Sequence, residues 1–345
     1  QLGGTKYTEK ISKIGLIGGI AVPILILNIG LVAYFMTGGK SQIDLSVKSL
    51  VPDFSDVKTL VIFASFILAY MGVEASASHV HELKEPNKMY PEVMIMLTVL
   101  TICLDAVGGL VVATTLPAKT LNGNLSYGVI ETFENIYVNH FGEQYSWIVF
   151  VVALLLALGV FAEISAWIVG PSKALLEAAY DGILLARFEE TNKNGVSVFT
   201  IMLQAVIVTI WDAVLCGSIA LAGGSDSSVG YLTAIGLTVV IYLAAYVLFF
   251  LGYFVLILRK GDMKREFHIP GGRAVKIVVA TVGLFMTVVT LVISFFPSSK
   301  LTAADNRVYQ IVLIVCFIIS MAAPLIIYAN RHRWSSSGKA TGDEK

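Results

Sequence analysis

The sequence predicts an all-α polytopic membrane protein with eight transmembrane helices. Three observations predict it. Of the 345 residues, 56% are hydrophobic and only 14% charged, against about 45–50% and about 25% in soluble domains. The mean hydropathy is +0.79. The charges are crowded into short segments, and the apolar runs between them reach the roughly 20 residues that cross a hydrocarbon core. The formal net charge is zero, so nothing in the balance points to nucleic acid.

The eight runs, in order, are Ile14–Met36, Leu60–Ser78, Val93–Leu116, Trp147–Gly170, Val198–Ala222, Tyr231–Leu258, Val275–Phe296 and Val308–Ala329. The connecting segments alternate in charge. Those on one side carry 18 of the 24 Lys and Arg, among them Lys6, Lys10, Lys13, Lys84, Lys173, Arg259, Arg273 and Arg331. The other side carries six: Lys40, Lys48, Lys58, Lys119, Lys300 and Arg307. By the positive-inside rule the richer side is cytoplasmic, which puts both ends of this chain there.

Two further segments are not spans. Residues 172–190 have apolar residues at helical spacing, with Glu177, Asp181, Glu189 and Glu190 between them, and read as a helix lying at the cytoplasmic interface. Leu121–Tyr145 reads as a longer outside loop with room for a short helix. Residues 1–330 form the transmembrane domain, and 331–345 a polar tail. The chain opens on Gln1, close to its first span, so an upstream portion is expected. Cys103, Cys216 and Cys316 each lie inside an apolar run, spaced for neither a disulfide framework nor a zinc site.

The second run carries the most chemistry. Around its middle it reads Tyr70-Met-Gly72-Val-Glu74-Ala-Ser76-Ala-Ser78-His79-Val-His81. A Gly, an acid and several small residues interrupt an apolar helix. Backbone exposed at membrane depth is tolerated only where it lines a cavity, and such breaks build substrate sites in secondary transporters. Gly72 and Ser76 are therefore candidate substrate contacts. Glu74 within the break is a candidate proton-responsive group, since an intramembrane carboxylate must be paired, hydrated or protonated. His79 and His81 read as solvated residues at the cytoplasmic end. The competing reading of the run is a straight helix whose small residues admit a close neighbour.

In the fourth run Glu163 and Trp167 are four apart and share a helix face. An acid beside an aromatic plane can hold an ammonium group and an aliphatic chain; a belt Trp near a polar Glu is the bland alternative. In the sixth, Tyr242, Tyr246 and Tyr253 form one stripe with Phe249 between them, and hydroxyls that need partners favour a polar path. Asp105 and Asp212 are further intramembrane acids with no partner visible in sequence. No phosphate-binding loop, metal-spaced His/Cys set or nucleophile elbow is present, so no cofactor, metal or enzymatic activity is expected.

The run Ser65-Phe-Ile-Leu-Ala-Tyr-Met-Gly-Val-Glu-Ala-Ser-Ala-Ser-His-Val-His-Glu resembles the broken sixth helix of bacterial glutamate/γ-aminobutyrate antiporters. Ala162-Glu-Ile-Ser-Ala-Trp-Ile-Val-Gly-Pro-Ser resembles their eighth helix, and Thr238-Val-Val-Ile-Tyr-Leu-Ala-Ala-Tyr their tenth. Arg265-Glu-Phe-His-Ile-Pro-Gly-Gly resembles a loop found more widely in the amino acid–polyamine–organocation superfamily. The resemblance implies helices five to twelve of a twelve-helix fold with a five-plus-five inverted repeat, in a bacterial inner membrane. It implies that Glu163 and Trp167 are substrate-site residues, Glu74 the acid of the sixth helix, and Tyr242 and Tyr246 residues of the cytoplasmic path. It implies glutamate and γ-aminobutyrate as partners, exchanged in acid resistance. Leu185 and Ser197 depart from the family, which often has Pro there, and Asp105 and Asp212 lie outside its pattern. Rival readings are another exchanger of the superfamily, such as one for arginine and agmatine, and a receptor or subunit that does not transport.

Overall fold

The computed structural model describes residues 2–117, 119–120, 127–221, 227–261, 263, 267, 269–296 and 301–331. Among them there is no strand, and eight helices are long and apolar enough to cross a membrane. Each coincides with one of the eight apolar runs, because a chain in hydrocarbon must satisfy its backbone within each segment.

The first span (Lys6–Met36) is built from α1 (Thr5–Gly15), a π turn (Leu16–Ala21) and α2 (Val22–Met36). Pro23 sits in the first turn of α2, where its missing N–H costs least. The π turn falls where this span crosses the fourth. A Cβ on Gly19 would overlap the backbone of Gly159, and one on Gly15 would overlap Ala162. Small residues thus let the two backbones touch.

The second span is broken. α3 (Val57–Ala69) ends at Tyr70 and Met71, whose N–H groups turn back to the Ile67 and Leu68 carbonyls at 3.1 Å each. Gly72 then takes φ 97°, and a 3-10 helix follows over Val73–Glu82. Only Gly adopts this left-handed conformation without strain. α4 (Pro86–Thr115) comes next, then a short helix α5 (Gly128–Phe133) running into a π turn (Glu134–His140). The connection between the third and fourth spans therefore does hold a helix. Its Phe133, Ile136 and Tyr137 are buried with Leu27, Tyr34, Val111 and Val152 in one core. The Tyr137 hydroxyl donates to the Ile26 carbonyl at 2.6 Å.

α6 (Ser146–Tyr180) corrects the sequence reading. The fourth span does not stop at Gly170, and 172–190 is not a separate helix. The helix passes through Pro171 and ends at Tyr180; only one 3-10 turn, Ala186–Phe188, follows. The Ser172 hydroxyl donates to the Ile168 carbonyl at 2.6 Å, and the helix carries Pro171 in its interior. α7 (Val198–Leu221), α8 (Ser227–Arg259), α9 (Gly272–Ile293) and α10 (Ala303–Ala329) complete the chain. α8 packs on α3, α7, α9 and α10, with a core of Leu237, Val240, Tyr309, Leu313 and Cys316. α6 and α8 thereby stand on either side of the break at Gly72. The motif that begins at Arg265 falls largely outside the described residues, as do residues 332–345 and the side chains of His79 and His81. Gly271, φ 99°, makes the turn into α9.

Candidate functional site

The break is closed by a side chain 172 residues away. The Gly72 N–H, freed where α3 stops, donates to Glu74 Oε2 at 3.0 Å and approaches the Tyr246 hydroxyl at 3.3 Å. The Tyr246 hydroxyl in turn donates to Glu74 Oε2. One carboxylate oxygen therefore receives a backbone donor and a phenol donor. Hydrogen bonds to a charged acceptor are worth about 1.5–3 kcal/mol, and this pair sits half-buried where the alternative is an unsatisfied carboxylate. Glu74 bridges the two parts of the second span to α8.

Trp167 of α6 covers the break from the other side. A Cβ added to Gly72 would lie 2.5 Å from the Trp167 ring. The indole meets Tyr242 edge-on, with ring centroids 6.3 Å apart and an interplanar angle of 90°. Gly72 is thus required twice, by its backbone angle and by the ring above it. The ring remains 40% exposed, open to a cavity.

That cavity, of about 260 Å³, is lined by Gly72, Ala75, Ser76, Glu163, Trp167 and Gly170, among others. It brings together all four residues predicted as substrate contacts. Glu163 presents an exposed carboxylate in a wall that also offers an aromatic face. Glu74, Tyr242 and Tyr246 stand behind the wall instead of lining it. Ser76 donates to the Val73 carbonyl at 2.6 Å. Its oxygen is therefore free to accept from the Tyr90 hydroxyl at 3.3 Å, and it lies 3.6 Å from Met94 Sδ. Sequence reasoning missed Tyr90 and Met94; both are in α4, and only the turn of chain between the 3-10 helix and α4 brings them back to Ser76.

Other predicted candidates stand elsewhere. Tyr253 lies seven residues beyond Tyr246, about 10 Å along α8, and does not line the cavity. Phe249 packs beside Tyr246, ring centroids 6.3 Å apart, and faces outward. The Tyr70 side chain stands near Asp105, giving that acid a polar neighbour the sequence did not show. Asp212 is exposed on α7. Among the described residues no group of His, Cys, Asp or Glu is arranged to hold a metal ion.

Comparison with known proteins places this geometry in a family. The model of the amino acid permease family matches residues 1–317. The chain is 45% identical over 328 residues to the glutamate/gamma-aminobutyrate antiporter of Lactococcus lactis subsp. lactis strain IL1403, covering 95% of this chain and 64% of that protein. The same figures hold for the glutamate/gamma-aminobutyrate antiporter of Lactococcus lactis subsp. cremoris strain MG1363. It is 28% identical over 331 residues to an uncharacterized transporter of Legionella pneumophila, covering 95% of this chain and 68% of that one. The chain thus spans 64% of the length of the two Lactococcus relatives. A multi-pass membrane protein with a broken second span and an acid–aromatic cavity beside it, matched over nearly its whole length, belongs to the amino acid permease family.

Proposed function

We propose that this chain forms part of an amino-acid antiporter that exchanges external glutamate for internal γ-aminobutyrate by alternating access, in a bacterial inner membrane, contributing to acid resistance. The observation that carries the reading is the cavity in which Glu163 and Trp167 face the Gly72 break. Both substrates carry an ammonium group and a short aliphatic chain. Glu163 supplies the countercharge and Trp167 a π-face for the cation and the methylenes. Gly72 and Ser76 set the opposite wall.

Glu74 and Tyr246 give the site a moving part. Their bond ties the second span to α8. Protonation of Glu74 would remove the acceptor charge and loosen the tie, so the break would open more readily in acid. Tyr242, edge-on to Trp167, lines or gates the path on the cytoplasmic side. The chain contributes helices five to twelve of the inverted-repeat fold, and the 18-to-6 split of Lys and Arg supports cytoplasmic ends. Substrate identity is supported by the two Lactococcus relatives and by the site's chemistry.

The test is counterflow in liposomes loaded with γ-aminobutyrate, following labelled glutamate at pH about 5.5 and about 7.5, on either side of histidine titration. Uptake that requires internal γ-aminobutyrate and is faster in acid is expected. Glu163→Gln should weaken substrate affinity about tenfold, the loss of one charged hydrogen bond. Unchanged affinity would remove Glu163 from the site, and uptake driven equally by internal agmatine would replace the substrate pair.

A further inference from the structure

The first helix carries a charged surface that the exchange site does not use. In α1, Lys6, Lys10 and Lys13 are spaced by four and then three residues, which confines them to about 60° of arc. All three are exposed. Thr8 and Gly15 of the same helix are buried, and a Cβ on Gly15 would overlap Ala162 of α6. These two stand about 170–190° round the axis from the centre of the lysine stripe. α1 therefore packs on α6 with one face and turns its ammonium groups away from the protein with the opposite one. Glu9, the one acid of α1, stands at the edge of the stripe and leaves it net positive.

The fold brings a fourth lysine to the same place. Asn192 and Asn194 each donate a side-chain N–H to the Leu2 carbonyl at 2.9 Å. The Asn192 side-chain oxygen accepts from the backbone N–H groups of Asn194 and Val196, at 2.9 and 3.1 Å, which fixes the turn between them. Lys193 is exposed in that turn and is thereby held beside the start of α1. Among the described residues none of these four lysines makes an ion pair.

Depth and neighbours decide what the stripe meets. The first apolar run starts at Ile14, so the lysines lie just outside the hydrocarbon. They span about 10 Å along the helix axis, through the headgroup layer. Tyr7, Ile11 and Ile14 adjoin the stripe on one flank and are exposed as well. Unpaired ammonium groups are too costly to bury against an apolar helix, and apolar side chains are costly to leave in water. A phospholipid with an anionic headgroup satisfies both, its phosphate against the ammonium groups and its acyl chains against the apolar flank. We propose that this face of α1, with Lys193 at its head, is a binding surface for anionic phospholipid headgroups in the leaflet on the lysine-rich side of the chain. The inference needs neither the exchange reading nor a substrate.

The test is thermal unfolding of the purified full chain in detergent, titrated with dioleoylphosphatidylglycerol. Tm should rise with lipid concentration, and dioleoylphosphatidylcholine at the same concentrations should raise it less. The triple variant Lys6→Gln, Lys10→Gln, Lys13→Gln should weaken the apparent phosphatidylglycerol Kd roughly a hundredfold, about fivefold per lysine. The corresponding Lys→Arg triple variant keeps the charges and should retain the binding. Lys10→Gln and Lys193→Gln, each expected to weaken binding about fivefold, decide the matter singly should the triple variant fail to fold. An equal rise in the Gln triple variant and the unaltered protein would overturn the assignment, and so would an equal response to phosphatidylcholine. The same rise with glycerol 1-phosphate would replace the lipid surface by a small-anion site. A rise with hexaglutamate and none with phosphatidylglycerol would replace the lipid by an acidic protein segment.

Discussion

Replacing Gly72 by Ala adds one methyl group where two separate constraints meet. At φ 97° an L-residue brings its Cβ against its own carbonyl, at a cost of about 1–2 kcal/mol. The same methyl would lie 2.5 Å from the Trp167 ring and 3.1 Å from its next carbon, about 1 Å inside contact distance. Overpacking of that kind costs about 1–3 kcal/mol. Gly72→Ala should therefore destabilise the protein by about 2–5 kcal/mol in total. Reversible unfolding in mixed micelles, followed by helical circular dichroism, measures it. Trp167→Ala separates the two parts, because it removes the overlap and leaves the backbone strain. The double variant should be more stable than the sum of the singles by about 1–3 kcal/mol, the interaction range for residues in contact. Additive costs within about 0.5 kcal/mol would show that Trp167 does not cover Gly72, and the wall between Glu163 and the break would have to be redrawn.

Tyr246→Phe removes the phenol donor from Glu74 while Gly72 N–H keeps its bond; we expect about tenfold slower exchange in liposomes, from a loss of about 1.4 kcal/mol, with substrate affinity nearly unchanged. An equal fall in affinity would put Tyr246 in the cavity wall. Gly19→Val forces the first span away from α6 at the point where Gly19 meets Gly159 and should cost about 3 kcal/mol or more, read as loss of the monodisperse peak in size-exclusion chromatography. In the loop after α2, hydrogen bonds from the Ser46 hydroxyl and N–H hold the Asp44 carboxyl below its ordinary 3.8. That loop contact is fully present above pH 3.8 and is lost as the pH falls through the lower folded value. Carboxyl carbon shifts should titrate below 3.8, and Ser46→Ala should move the midpoint part of the way back.

The spans were legible because lipid leaves a chain few choices. About 20 apolar residues must close their own hydrogen bonds, and any long apolar run between charged segments becomes a helix. The break was legible for the same reason, since Gly72 and Glu74 have no cheap place in a continuous membrane helix. Residues 172–190 misled because Pro171 reads as a helix end and the segment after it is amphipathic. The helix nonetheless carries Pro171 in its interior and ends only at Tyr180, and whether a Pro ends a helix or is carried within it is not written in residue order.

The partners were not legible. Glu74 and Tyr246 are 172 residues apart; Ser76 meets Tyr90 only because the 3-10 helix folds back on α4. Glu163 and Trp167 could be paired from their spacing of four, but that Trp167 lies over Gly72 depends on where α6 crosses the first span, which is set by Gly19 against Gly159. The sequence by itself determined how many helices cross, where one of them breaks, and which polar residues are too costly to be idle in a membrane. Only the tertiary structure decided which of those residues meet, because hydropathy acts on each segment alone, whereas contact between helices depends on close-packed shape across all of them.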